Sequence, residues 1–259
     1  MSKKIKKILL KKNKSKIVCL TAYSKAIAKI LDNFCDIILV GDSMANVLYG
    51  HKGTHKLSLD NIIQHTSSVR LGVKKSLLVA DMPKGTYENP KSAKTNAKLI
   101  IKKTGCDAVK LESNKNNYKI IKFLINEKIP VMGHIGYTPQ HKKKFKIEGK
   151  TKNEALKLLK EAKLIEKSGA FAIVLECLSP QSAKMITNKI KIPTIGIGSS
   201  VYCDGQILVT DDMLGLSGFY PKFVKKYANI NRIIEKAVKK YTRDVKLKNF
   251  PSKIHNYNG

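Results

Sequence analysis

Asp107-Ala108-Val109-Lys110-Leu111-Glu112 is a short apolar run that carries a lysine and a carboxylate two residues apart. Side chains of a strand alternate between faces, so Lys110 and Glu112 share one side while Val109 and Leu111 take the other. By itself this is also the pattern of a half-buried surface strand. Recurrence argues against that. Ile38-Leu39-Val40-Gly41-Asp42-Ser43, Leu77-Leu78-Val79-Ala80-Asp81, Val131-Met132-Gly133-His134 and Ala172-Ile173-Val174-Leu175-Glu176 likewise finish an apolar run on a polar or titratable residue.

Helical patterns separate these runs. A strand at residues 17–22 leads to a helix N-capped by Ser24, with apolar spacing at Ala26, Ile27, Ile30 and Leu31. The strand at 37–40 opens onto a polar, glycine-bearing stretch, residues 41–58, whose length marks a functional loop rather than a turn. Asp60 is expected to cap the next helix through Ile63 and Val69, and the strand at 77–80 stops at Asp81-Met82-Pro83. Helices at 92–103 and 116–127 flank the Lys110 strand, and Pro130 starts a strand at 131–135.

After Gly136-Tyr137-Thr138-Pro139-Gln140 a lysine-rich, exposed insert reaches Thr151. There follow a helix at 153–167, a strand at 171–175, a helix opened by Pro180, and a strand from Pro193 with a glycine-bearing exit. Residues 206–214 read as a helix and 222–227 as an eighth strand; Asn229 caps a last amphipathic helix through Ile233, Ile234, Ala237, Val238 and Tyr241. Repeated strand-then-helix units imply parallel strands buried on both faces. The expected fold is therefore α/β: a (β/α)8 TIM-type barrel filling residues 1–259 as one domain, with a basic helical extension at 1–16. An open doubly wound sheet is the alternative, but Thr21-Ala22-Tyr23-Ser24 stands where its dinucleotide-binding glycines belong.

A barrel of this kind carries its site at the carboxyl ends of the strands, which would bring Asp42, Ser43, Asp81, Glu112, His134 and Glu176 into one mouth. Each alone reads as a cap or a loop ion pair. Together, three carboxylates repel unless protonated or bridged by a cation, and an oxygen-rich cluster selects magnesium or a similar hard ion. Lys110 lies one layer deeper, where its ammonium needs a partner: an anionic substrate, or Glu112 or a neighbouring carboxylate. His134 is either a ligand or a hydrogen-bonded core residue.

Composition narrows the class. The chain has 259 residues, 42% of them hydrophobic, and no tryptophan. None of its apolar runs approaches the roughly 20 residues of a membrane helix. The basic opening is too short in apolar content for a signal peptide. Cys19, Cys35, Cys106, Cys177 and Cys203 form no Cys-x-x-Cys pair, so neither a disulfide framework nor a zinc site is indicated, and a cytoplasmic location is expected. A net charge of +31 invites a nucleic-acid reading. Yet lysines are spread along the chain, with local runs at 3–16 and 141–146, and Arg70, Arg232 and Arg243 are the only arginines. Arginine is the favoured phosphate reader, so dispersed solvated charge without a specific nucleic-acid partner is expected.

Leu20-Thr21-Ala22-Tyr23, Val40-Gly41-Asp42-Ser43, Gln64-His65-Thr66, Ala80-Asp81-Met82-Pro83, Val109-Lys110-Leu111-Glu112, Gly133-His134-Ile135-Gly136-Tyr137-Thr138-Pro139-Gln140, Leu175-Glu176-Cys177 and Asp204-Gly205-Gln206-Ile207-Leu208-Val209 follow one another in an order that resembles the ketopantoate hydroxymethyltransferase family over nearly the whole chain. The resemblance implies a magnesium site at Asp42, Asp81 and Glu112, direct or through water. It places the 2-oxoacid against Asp42, Ser43, Asp81 and Lys110, with His134 nearby, and makes Glu176 the catalytic base. It further implies 5,10-methylenetetrahydrofolate as co-substrate, hydroxymethyl transfer to 3-methyl-2-oxobutanoate giving 2-dehydropantoate, and a homo-oligomer, often a homodecamer. The chain departs from the family pattern at Ser24, Ala45, Asn46, Lys84, Ser199, Ser200 and Asp211, none of them a proposed catalytic group. A magnesium-dependent lyase of the phosphoenolpyruvate mutase and isocitrate lyase group is the rival on a similar barrel; its catalytic cysteine loop is not evident.

Overall fold

A computed structural model describes residues 2–113, 117–142, 144–218 and 220–257. Its strands are β1 Ile17–Thr21, β2 Ile37–Val40, β3 Leu77–Asp81, β4 Ala108–Glu112, β5 Val131–Gly136, β6 Ala172–Glu176, β7 Thr194–Ile197 and β8 Gly205–Leu208. The helices are α1 Lys3–Leu10, α2 Lys25–Leu31, α3 Met44–Val47, α4 Leu59–Arg70, α5 Pro90–Thr104, α6 Asn117–Asn126, α7 Lys152–Lys167, α8 Pro180–Lys189, α9 Thr210–Leu214 and α10 Ile230–Lys246. Each strand pairs in parallel with the next, and β8 pairs with β1 to close the barrel.

Alternation along the strands produces two cores. Ile37, Leu39, Leu77, Val79, Ala108, Met132, Ala172, Val174, Ile195 and Ile207 fill the barrel interior. Ile38, Val40, Leu78, Ala80, Val109, Leu111, Ile173 and Leu175 form an outer layer with helix residues such as Ile62, Ala97, Ile121, Ile165 and Ile186. Burial on both faces is why these strands read as nearly continuous apolar runs.

The amino-terminal end is plugged by α1, whose Ile5 and Ile8 join the interior cluster. Ser2 caps this helix by accepting from the Ile5 N–H. Its lysines grip the strand entrances: Lys4 Nζ donates to the Ser76 carbonyl at 2.7 Å, Lys11 Nζ meets Asp36 at 2.6 Å and Lys12 Nζ meets Asp204 at 2.8 Å. Part of the basic run at 3–16 is thus structural.

Several expected elements shift. Residues 206–214 are not one helix: Gly205–Leu208 is β8, and only Thr210–Leu214 is helical. A β-carbon on Gly205 would stand 2.5 Å from the Ile17 carbonyl oxygen, so glycine permits the approach that closes the barrel. Residues 222–227 form a turn and irregular chain rather than an eighth strand. Ser58, not Asp60, caps α4, in a reciprocal capping box with Asn61, while Asp60 occupies the first turn. Helix α7 begins at Lys152, capped by Thr151 in a box with Glu154. The expected start of α6 at Asn116, and Lys143 of the 141–146 run, lie outside the described residues.

The chain divides into two compact units, Met1–Thr210 and Asp211–Gly259. Within the second, the Tyr227 N–H donates to the Met213 carbonyl at 2.8 Å, and Asn229 caps α10 by accepting from the Arg232 N–H. Among the described residues no helix is long and apolar enough to cross a membrane.

Candidate active site

The inward alternation of β4 continues past Ala108 to Lys110 and Glu112, and the neighbouring strands do the same with Asp81, His134 and Glu176. Register then sets the contacts. Asp81 is the cross-strand partner of Lys110, Glu112 that of His134, and Gly136 that of Glu176.

A continuous series of contacts runs through the site, entering at the Asp42 backbone. The Asp42 N–H donates to Asp81 Oδ2 at 2.9 Å, Lys110 Nζ lies 2.9 Å from Asp81 Oδ1, and Lys110 Nζ lies 3.5 Å from His134 Nδ1. His134 Nδ1 is 3.8 Å from Glu112 Oε1, and His134 Nε2 is 3.2 Å from Glu176 Oε2. Ser43 stands at the first turn after β2, its Oγ 2.8 Å from the Tyr23 hydroxyl. Every expected site residue is therefore in this mouth. Lys110 pairs with Asp81, not Glu112.

Burial governs the electrostatics. Removal from water pushes Asp81 up to about 7 although Lys110 opposes the shift. Burial and the Asp42 charge raise Glu112 well above the carboxylate range. Burial pushes Glu176 up to about 8, with Lys110 again opposing. For Lys110 burial acts against the charge, but Asp81, Asp42 and Glu112 outweigh it and hold the ammonium above the ordinary lysine range. His134 is lowered well below its usual value by burial and by Lys110, so it faces Glu176 as a neutral imidazole.

Gln140 and Tyr87 belong to the same site and carried no role in the sequence. Gln140 follows β5 and is 1% exposed; its side chain donates to Asp42 and its backbone to Glu112, and Tyr87 donates to it. Neither stands in a periodic element that would flag it; only the polar Gly136-Tyr137-Thr138-Pro139-Gln140 segment hints at one of them. Of the departures from the family pattern, Asn46 holds its own loop by donating to the His51 carbonyl at 2.8 Å, Ala45 is buried and Lys84 is exposed.

Among the described residues no three His, Cys, Asp or Glu side chains suffice to enclose a metal ion. Magnesium does not require that: it keeps several waters and binds through one or two carboxylates plus substrate oxygens. The oxygen donors of Asp42, Asp81 and Glu112 fit such a partly hydrated ion, and burial makes the Asp81 and Glu112 carboxyls costly to ionise alone.

A closed parallel barrel whose strand ends gather four carboxylates, a buried lysine and a neutral histidine defines a (β/α)8 enzyme equipped for proton transfer next to an anionic substrate. The family model for ketopantoate hydroxymethyltransferase matches residues 2–253. The 3-methyl-2-oxobutanoate hydroxymethyltransferase of Pelagibacter ubique (strain HTCC1062) is 54% identical over 257 residues, covering 99% of this chain and 100% of that one. The enzyme of the same name from Clostridioides difficile (strain 630) is 49% identical, covering 93% and 90%. The chain belongs to the ketopantoate hydroxymethyltransferase family and carries its activity, hydroxymethyl transfer to 3-methyl-2-oxobutanoate in pantothenate biosynthesis. Among solved structures, 2,3-dimethylmalate lyase, a PEP mutase/isocitrate lyase superfamily member, aligns with a TM-score of 0.63 at 13% identity, covering 98% of this chain and 92% of that one. Phosphonopyruvate hydrolase in complex with oxalate and Mg++ aligns at 0.61 and 14% identity, covering 95% and 88%. At such identities the likeness is one of fold, which is all that the rival lyase reading shares with this chain.

Proposed function

We propose that the chain transfers the methylene carbon of 5,10-methylenetetrahydrofolate to 3-methyl-2-oxobutanoate as a hydroxymethyl group, releasing 2-dehydropantoate and tetrahydrofolate, with water balancing the reaction. Asp42, Asp81 and Glu112 would hold magnesium, which when bound supplies Lewis-acid polarisation of the oxo group. Lys110 and Ser43 orient the oxoacid, the ammonium meeting its negative charge at a depth where water is scarce. Glu176 takes the proton from C3 on Oε, and the electron pair left behind forms the new bond to the folate methylene carbon. Neutral His134, its Nε2 3.2 Å from Glu176, adds no charge there that would lower the basicity of the carboxylate.

The observation that supports these roles is the unbroken contact chain from Asp42 through Asp81, Lys110 and His134 to Glu176. The same reading includes a cytoplasmic enzyme that works as a homo-oligomer, homodecameric as the resemblance implies. Incubation with 3-methyl-2-oxobutanoate, 5,10-methylenetetrahydrofolate and magnesium should give 2-dehydropantoate by NMR, and EDTA should abolish it. Turnover that is indifferent to EDTA and restored magnesium would remove the metal from the proposal.

A further inference from the structure

Gln140 reaches two of the proposed ligands by two different routes. Its side-chain Nε2 donates to Asp42 Oδ2 at 2.8 Å and to the Met82 carbonyl at 3.1 Å, while its backbone N–H donates to Glu112 Oε2 at 3.0 Å. The remaining polar atom, Oε1, accepts from the Tyr87 hydroxyl at 2.5 Å. The amide can point only one way. Exchanging Oε1 and Nε2 would set a carbonyl oxygen against a carboxylate and a backbone carbonyl, none of which carries a hydrogen. Gln140 thus engages Asp42 Oδ2 and Glu112 Oε2 and makes no bond to Asp42 Oδ1 or Glu112 Oε1, the latter 3.8 Å from His134 Nδ1.

We infer that Gln140 is a positioning residue: it fixes the orientation of the Asp42 and Glu112 carboxylates so that a divalent cation and the chelating oxoacid meet preset oxygens, and Tyr87 locks it in that pose. The inference rests on the reading of Asp42 and Glu112 as ligands. Its physical basis is that groups hydrogen-bonded to ligating carboxylates set their direction, and losing one typically costs 10- to 100-fold in metal affinity. The reach from β5 to β2 also matters, because the two ligands come from strands that are not neighbours and no backbone ladder connects them.

The test uses the full chain and manganese(II) alone as probe, titrated by the electron paramagnetic resonance signal of the free ion, with a melting curve on each protein. Gln140→Met removes the side-chain bonds at similar volume and should raise the manganese dissociation constant by about 10- to 100-fold. Tyr87→Phe should raise it in the same direction by a smaller factor, through a looser Gln140. Unchanged manganese affinity in a folded Gln140→Met protein, with or without a lower melting temperature, would overturn the inference and leave a purely structural residue. Should Gln140→Met fail to fold, unchanged affinity in Tyr87→Phe has the same force. A wild-type protein that binds no manganese saturably would instead bring down the underlying metal reading, and with it this one.

Discussion

Glu176 ends an apolar strand, is held near about 8 by burial, and meets a histidine kept neutral. A carboxyl with that environment is poised to exchange protons near neutral pH. Glu176→Gln keeps its shape and polarity but cannot accept a proton. Exchange of the C3 hydrogen of 3-methyl-2-oxobutanoate with deuterated water, followed by NMR with magnesium and without folate, should slow by about 100- to 10,000-fold in this variant. Near wild-type exchange would place the base elsewhere. A pH profile gives an independent check. The base works ionised, so kcat/KM should be low below its folded value, rise with pH, and level off above about 8. A profile flat from pH 6 to 9 would contradict the assignment. At this scale much was legible: Lys110 and Glu112 declare a shared face by alternation alone. Gln140 was not, because a loop residue has no period to betray which way it points.

The strand-to-loop junctions carry the site, and β5 shows what they demand. Gly136 closes that strand at φ +98, in the left-handed region, and a β-carbon there would stand 2.2 Å from the Glu176 carbonyl oxygen. Backbone cannot be pushed aside as a flexible side chain can. Gly136→Ala should therefore displace the end of β6, and an error of about 1 Å in a catalytic group costs on the order of 100-fold in rate. Steady-state turnover in the variant measures this, and a loss under about threefold would show that the two strand ends move apart without moving Glu176. Two of the failed expectations among the elements have definite reasons. Four residues of β8 are too few to separate a period of two from one of 3.6. Ser58 and Asp60 are both competent caps, and the choice between them fell to Asn61, whose side chain accepts from the Ser58 N–H.

For the whole molecule the question is what a net charge of +31 does. Many lysines are tied to carboxylates in the structure: Lys11 to Asp36, Lys12 to Asp204, Lys94 and Lys98 to Glu127, Lys142 to Glu148 and Lys146 to Glu154. These pairs are spread from the strand entrances to the insert before α7 and leave no arginine-rich reading surface. Duplex DNA should bind weakly, without sequence preference, and release at moderate salt. Fluorescence anisotropy against sodium chloride decides this; tight, sequence-selective binding at physiological salt would contradict it. The barrel and the identity of the charged strand ends were determined by the sequence alone, because strand alternation and strand-then-helix rhythm are local properties. Partnership was decided only by the tertiary structure. Lys110 lies two residues from Glu112, yet side chains so spaced along one strand stand roughly 7 Å apart. The register of β3 against β4 places Asp81, 29 residues away in the chain, directly beside it at 2.9 Å, and the pairing of β4 with β5 and of β5 with β6 brings Glu112, His134 and Glu176 around the same point.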